Sequence, residues 1–185
     1  MRGFFGAYQI WKSQWKKRCD KIRYLWLSRA FERAGRRGSV GRDVRFHGNL
    51  KIEVGDRVAF RDRVQFGGNG TLRIGDRTSI NEGCIITAVE RIEIGSDVML
   101  APGVYVLDVD HRFEIRSIPI SLQGYDVSPV VIGKGVWIGT GAVVTKGVKI
   151  GEGAIIGANS VVTRDIPPYS IAAGVPARVL KVRPQ

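Results

Sequence analysis

The chain has 185 residues, which is one domain's length and enough to bury a core. Apolar residues make up 44% and charged residues 25%, a globular composition that excludes a mostly disordered chain, while 24 glycines and a formal net charge of +12 set it apart. Glycine recurs at no three-residue period, which excludes collagen, and no stretch approaches about 20 uncharged apolar residues, which excludes a membrane-spanning helix.

Most of the charge lies at the N-terminus. Residues 1–45 hold 13 Lys and Arg against Asp20, Glu32 and Asp43, so this segment is strongly basic and the rest is nearly neutral. The apolar opening GFFGAYQIW is short and leads into WKKRCDKIR rather than a small-residue cleavage site, so no secretory signal is expected. Cys19 and Cys84 make no disulfide framework. The expected location is cytoplasmic.

Residues 1–38 read as a basic helical leader. The pattern predicts helix from Phe4 to Ala34, with no proline inside and Gly35 as its stop. Phe4, Tyr8, Trp11, Trp15, Ile22 and Trp26 share one helical face, with Lys12, Lys16, Lys17, Lys21 and Arg23 largely off it. An aromatic stripe with flanking cations suits an anionic membrane surface, here through residues 1–34 on the inner face of the cell membrane. The same stripe also suits packing on the body or on a neighbouring subunit. Nucleic acid is not expected, because no recognition module accompanies the charge.

From Val40 the sequence repeats every six residues. An aliphatic residue, then usually glycine, recurs at Ile132-Gly133, Ile138-Gly139, Val144, Ile150-Gly151, Ile156-Gly157 and Val162. The same step links Val54, Phe60 and Phe66, then Ile74, Ile80 and Ile86, then Ile94, Leu100 and Val106. Small residues recur four positions later, among them Ala142, Ala154 and Ser160. This period fits a three-sided coil, one hexapeptide per side, with the aliphatic residue inward and glycine tolerating the corner backbone. Two extra residues follow Phe66 and Ile86, so they bulge from one corner on successive coils. After Val106 the same corner releases a long loop, residues 107–131. The coils are expected over 39–166 and a capping segment over 167–185.

These residues resemble the hexapeptide-repeat acyltransferases, most closely the maltose, galactoside and polysaccharide O-acetyltransferases. The likeness is strongest over residues 129–181, through VWIG, DIPP and GVPAR. The basic leader is more similar to that of colanic-acid and exopolysaccharide acetyltransferases. The resemblance implies a mainly β fold, a left-handed parallel β-helix carrying a basic amphipathic α-helix and a projecting loop. It also implies a homotrimer with sites between subunits, acetyl-CoA as acyl donor without a metal, and a saccharide acceptor.

Acetyl transfer to a hydroxyl needs a base, oxyanion donors and a coenzyme groove. His111, in DVDHRF of the loop, is suited to general-base work and occupies the place of the family's catalytic histidine. Asp108 or Asp110 is expected to orient it or to bind acceptor hydroxyls; Asp108 is favoured for the first task. Asn81 matches an acceptor-contacting asparagine. The resemblance assigns the pantetheine path to Trp137, Gly139 and Thr140, with the oxyanion donor near Gly139–Thr140, and carries Gly157 and Ala158 one turn on. Thr163, Arg164, Arg178 and Lys181 fall where the family meets coenzyme phosphates, with Arg164 replacing its usual lysine. His47 reads as surface and Cys84 as core. Two histidines are too few for a zinc site of the γ-carbonic-anhydrase kind. The expected reaction is direct O-acetylation of a surface-polysaccharide sugar or its lipid-linked or nucleotide-linked precursor. N-acetylation of an amino sugar and a non-enzymatic membrane scaffold stand as alternatives.

Overall fold

The computed structural model describes the backbone of residues 2–184 and the side chains of residues 14–184. The expected aromatic positions Phe4, Tyr8 and Trp11, and Lys12, therefore lie outside the described side chains. Helix α1 spans Arg2–Leu27, and a short 3-10 turn follows at Ser28–Ala30. The helix thus ends before the predicted Ala34. Phe31 turns inward instead, its ring centroid 6.0 Å from that of Phe46 and 6.4 Å from that of Phe60, so it plugs the first coil.

Six coils follow. The first holds β1 (Arg33–Ala34), β2 (Ser39–Val40) and β3 (Arg45–His47). The second holds β4 (Lys51–Val54), β5 (Ala59–Phe60) and β6 (Gln65–Gly67). The third holds β7 (Thr71–Ile74), β8 (Ser79–Ile80) and β9 (Ile85–Thr87). The fourth holds β10 (Arg91–Ile94), β11 (Met99–Leu100) and β12 (Tyr105–Leu107), after which β13 (Val109–His111) and β14 (Tyr125–Val127) form a projecting antiparallel hairpin. The fifth holds β15 (Val130–Ile132), β16 (Trp137–Ile138) and β17 (Val143–Val144). The sixth holds β18 (Lys149–Ile150), β19 (Ile155–Ile156) and β20 (Val161–Val162). The end is closed by β21 (Ser170–Gly174), parallel to β19, and β22 (Ala177–Val182), antiparallel to β21.

Parallel pairing of equivalent strands builds three flat faces. The first face is β1-β4-β7-β10-β15-β18, the second β2-β5-β8-β11-β16-β19-β21-β22, and the third β3-β6-β9-β12-β17-β20. Partners stand 20 residues apart in the early coils, as Ile52 and Leu72, and 18 apart later, as Ile132 and Ile150. The difference is the two-residue bulge expected from the spacing. It lies on the edge from the third face to the first, the edge that also releases the hairpin.

The core is one column along the axis. Phe60 and Phe66 fill its wide early part in edge-on contact, and Ile80, Leu100, Ile138 and Ile156 continue it with no more than 1% exposure. Burying each such side chain stabilises the fold by roughly 1.5–3 kcal/mol. The small set four residues on is buried too, including Cys84, Ala142, Ala154 and Ser160.

The glycines act differently from the expectation. Gly139, directly after its aliphatic partner, does not have a left-handed φ. A Cβ there would lie 2.6 Å from the Ala158 nitrogen of the next coil, so close stacking is what requires glycine. The left-handed backbone falls two residues later, at Gly141 with φ 68°.

Candidate active site

Each edge of the prism collects residues from successive coils. The edge from the second face to the third carries Asn81, Gly139, Thr140, Gly157 and Ala158; Trp137 stands beside it on the second face, 47% exposed. Arg178 and Lys181 lie exposed on β22, which extends that same face. The hairpin edge carries Asp108, Asp110 and His111, and two coils on it carries exposed Thr163 and Arg164. The predicted site residues therefore fall into two groups, on opposite margins of the third face. A six-residue step such as Asn81 to Thr87 spans up to about 20 Å.

His111 is exposed at the end of β13, cross-strand from Tyr125, with ring centroids 4.8 Å apart. Asp110 pairs with Asp126. Because successive side chains alternate along a strand, Asp110 and His111 leave opposite faces of the hairpin. The aromatic neighbour Tyr125 was not expected from sequence. Its one signal is register, since its place opposite His111 follows only from the hairpin.

Asp108 corrects the reading that it orients His111. It is completely buried, and its carboxylate accepts backbone N–H bonds from Val89 at 2.7 Å and from Glu90 and Arg91 at 2.8 Å. Those donors form the bulged corner of the preceding coil. A buried carboxylate held by three main-chain donors is a brace under the hairpin, whereas the His111 imidazole is exposed.

Beyond the hairpin, Gln123 orders the loop tip. Its amide nitrogen donates to the Ile115 and Ile118 carbonyls at 2.9 and 2.7 Å, and its oxygen accepts from Ile115 N–H at 3.0 Å. Lys146 Nζ, on the prism edge, donates to Asp126 Oδ2 at 2.5 Å. That bond holds the Lys146 ammonium above its usual range and Asp126 below the usual carboxylate range. Neither Gln123 nor Lys146 carried a sequence signal, since both act across the loop.

On the other edge, Asn81 is partly committed. Its backbone N–H and its side-chain amide nitrogen both donate to the Leu100 carbonyl, at 3.1 and 2.7 Å. The Gly139 N–H is spent on the Ile156 carbonyl at 2.8 Å. Cys84 is buried with its Sγ 3.1 Å from the Ala101 carbonyl, and burial pushes its thiol up to about 11. His47 is exposed on the first coil. Among the described residues no group of three or more His, Cys, Asp or Glu is placed to hold a metal ion.

Residues 129–164 match the family model described as bacterial transferase hexapeptide (six repeats). A probable acetyltransferase of Mycobacterium tuberculosis, Rv3034c, is 41% identical over 99 residues, covering 54% of this chain and 33% of that protein. The putative lipopolysaccharide biosynthesis O-acetyl transferase WbbJ of Escherichia coli is 34% identical over 109 residues, covering 55% of this chain and 56% of that protein. The matched part thus spans between a third and somewhat over half of these relatives' length. Among solved structures, a hexapeptide-repeat acetyltransferase from Vibrio cholerae complexed with acetyl coenzyme A superposes with a TM-score of 0.67 at 27% identity, covering 89% of this chain and 78% of that one. The repeats of residues 129–164 are thus similar to those of the bacterial transferase hexapeptide family.

Proposed function

We propose that this hexapeptide-repeat chain transfers an acetyl group from acetyl-CoA to a hydroxyl of a cell-surface saccharide, or of its lipid-linked or nucleotide-linked precursor. The observation that carries the reading is the setting of His111. It is an exposed imidazole on a hairpin that Asp108 braces and Gln123 and Lys146 hold in place, at the edge of a rigid prism. The similarity to the lipopolysaccharide relative supports a saccharide acceptor, and the acetyl-CoA complex of the Vibrio cholerae protein supports the donor.

The second edge fits a thioester coenzyme. Thr140 and Ala158 present small side chains on this edge beside the exposed Trp137 indole, and Arg178 and Lys181 supply charge for phosphates. When bound, acetyl-CoA supplies the activated acyl group. His111 takes the proton of the acceptor hydroxyl as its oxygen attacks the thioester carbonyl. The Thr140 N–H is assigned to the developing oxyanion, because that of Gly139 is already bonded. As the carbon–sulfur bond breaks, His111 returns its proton to the departing sulfur. Transfer is direct, since Cys84, the thiol nearest the repeats' chemistry, is buried and protonated at neutral pH.

His111 and Thr140 lie on different edges of one chain, so the working site joins the hairpin edge of one copy to the Asn81 edge of another. The hairpin tip supports this: Phe113, Ile120, Leu122 and Tyr125 are 55–75% exposed in the single chain, an apolar surface that a second copy would cover. We read the assembly as a homotrimer.

The test is release of CoA thiol from acetyl-CoA across a panel of saccharides and amino sugars. Acceptor-dependent release is expected, greatest with a sugar hydroxyl. Release confined to amino sugars would convert the reading to N-acetylation. No release, together with no thermal shift on adding CoA, would remove the enzymatic reading in favour of a scaffold.

A further inference from the structure

We propose that the outward face of α1 docks on a bilayer rich in anionic phospholipid and lies in its headgroup region. The helix is pinned to the first two coils by its other face. Tyr24 Oη donates to the Gly35 carbonyl at 2.9 Å, Arg23 Nε to the Val40 carbonyl at 3.0 Å, and Lys16 Nζ to Asp62 at 3.2 Å. A Cβ on Gly38 would lie 2.1 Å from the Tyr24 ring, so the seat is tight. This fixes which side of the helix looks outward.

That side is apolar. Ile22, Leu25 and Trp26 are 65%, 67% and 77% exposed, and Trp15, two turns before Ile22 and three before Trp26, is 55% exposed. The described apolar side chains of this face are thus open to solvent at Ile22, Leu25 and Trp26. A groove of about 410 Å³ runs between α1 and the first coil, lined by Ile22, Trp26, Leu27, Val40 and Val44 with Arg23 and Asp43 at its margin. Exposed cations stand on and around this face at Arg18, Lys21 and Arg29.

Charge selects the occupant. A second copy of this chain would bring two strongly basic segments together, whereas anionic headgroups neutralise the cations while the apolar side chains enter the interface. Indole rings suit that depth, with an apolar body and a polar N–H. Among the described residues no helix is long and apolar enough to cross a membrane. The surface is independent of the acetyltransferase reading, because none of these residues belongs to either site edge.

Flotation of the full chain tests it, using vesicles of phosphatidylcholine alone and of phosphatidylcholine with about one-third phosphatidylglycerol. The chain should float with the anionic vesicles and be released by salt. The double variant Ile22→Ser, Trp26→Ser should bind at least about ten-fold more weakly. Arg18→Gln and Lys21→Gln should each weaken binding about five-fold, while the melting temperature and oligomeric state stay unchanged. Absence of binding to anionic vesicles overturns the proposal, as does equal binding by the variants. A changed oligomeric state of the double variant without lipid would also overturn it, by showing this face to be a subunit contact.

Discussion

Lys146 and Asp126, twenty residues apart in the chain, meet beneath the projecting hairpin with Nζ 2.5 Å from Oδ2. Asp126 lies cross-strand from Asp110, one residue from His111, so the ion pair ties the strand next to the imidazole to the prism edge. Asp110 and Glu114 add further negative field around Lys146. The pair is part-exposed and contributes little to global stability. Its consequence is geometric.

Lys146→Met should leave the melting temperature nearly unchanged and lower kcat about ten-fold, with the KM for acetyl-CoA unaffected. Lys146→Arg should restore part of the loss. The latch also has a defined pH window. Asp126 is depressed in the folded chain, so its share is present above the ordinary carboxylate pKa and lost as pH falls through the lower folded value. Lys146 is raised, so its share is present below the ordinary lysine pKa and lost as pH rises through the higher folded value. Steady-state rates of the Met variant and the parent, compared across pH, should converge at the acid extreme. A large drop in melting temperature for the Met variant would show the pair to be structural.

Asp108→Ala should be far more damaging to stability than to any proton transfer. It removes three part-buried backbone hydrogen bonds to a carboxylate, each contributing about 1.5–3 kcal/mol. Urea unfolding should show a loss on the order of 4 kcal/mol. A stable Asp108→Ala protein with abolished turnover would instead restore Asp108 to a role beside His111.

Cys84 should resist chemistry that reaches Cys19. With its thiol pushed up to about 11 and fully buried, it carries almost no thiolate at neutral pH, while Cys19 is half-buried on α1. Iodoacetamide on the folded chain should label Cys19 and spare Cys84 until denaturant is added. Incubation with acetyl-CoA without acceptor should leave no acetyl adduct, and one on Cys84 would contradict direct transfer.

The shared-site reading predicts complementation. His111→Ala disables the hairpin edge, and Ala158→Trp, at an exposed position, fills the other. Equal mixtures refolded together should recover about one quarter of the parent's sites, if each site joins two neighbouring copies. Recovery absent in mixed oligomers, verified by mass, would place both edges of a site in one chain.

The prism was legible because its determinant is local. Each inward Ile, Val or Leu reports its own burial, and the 20- and 18-residue registers follow from counting between them. The opening strand of the first coil was not, because β1 has only Arg33 and Ala34 and is held by pairing with Glu53 and Val54 rather than by apolar residues of its own. The helix end escaped for a related reason. Nothing local stops it at Leu27; Phe31 is drawn into the core by Phe46 and Phe60. In the site, His111 was legible as a lone histidine in a loop of defined origin. The task of Asp108 was not, since its partners are main-chain donors 17 to 19 residues earlier, which no side-chain pattern records. Nor was the division between two edges of the residues that the resemblance assigns to the coenzyme, which depends on the corner each one occupies.

The most direct measurement is acceptor-dependent CoA release by His111→Ala beside the parent, at matched folding and assembly. Loss of the base should lower kcat on the order of 10²–10⁴-fold while CoA still binds. Turnover within about two-fold of the parent would contradict the account, because the proton of the attacking hydroxyl would then leave by another group.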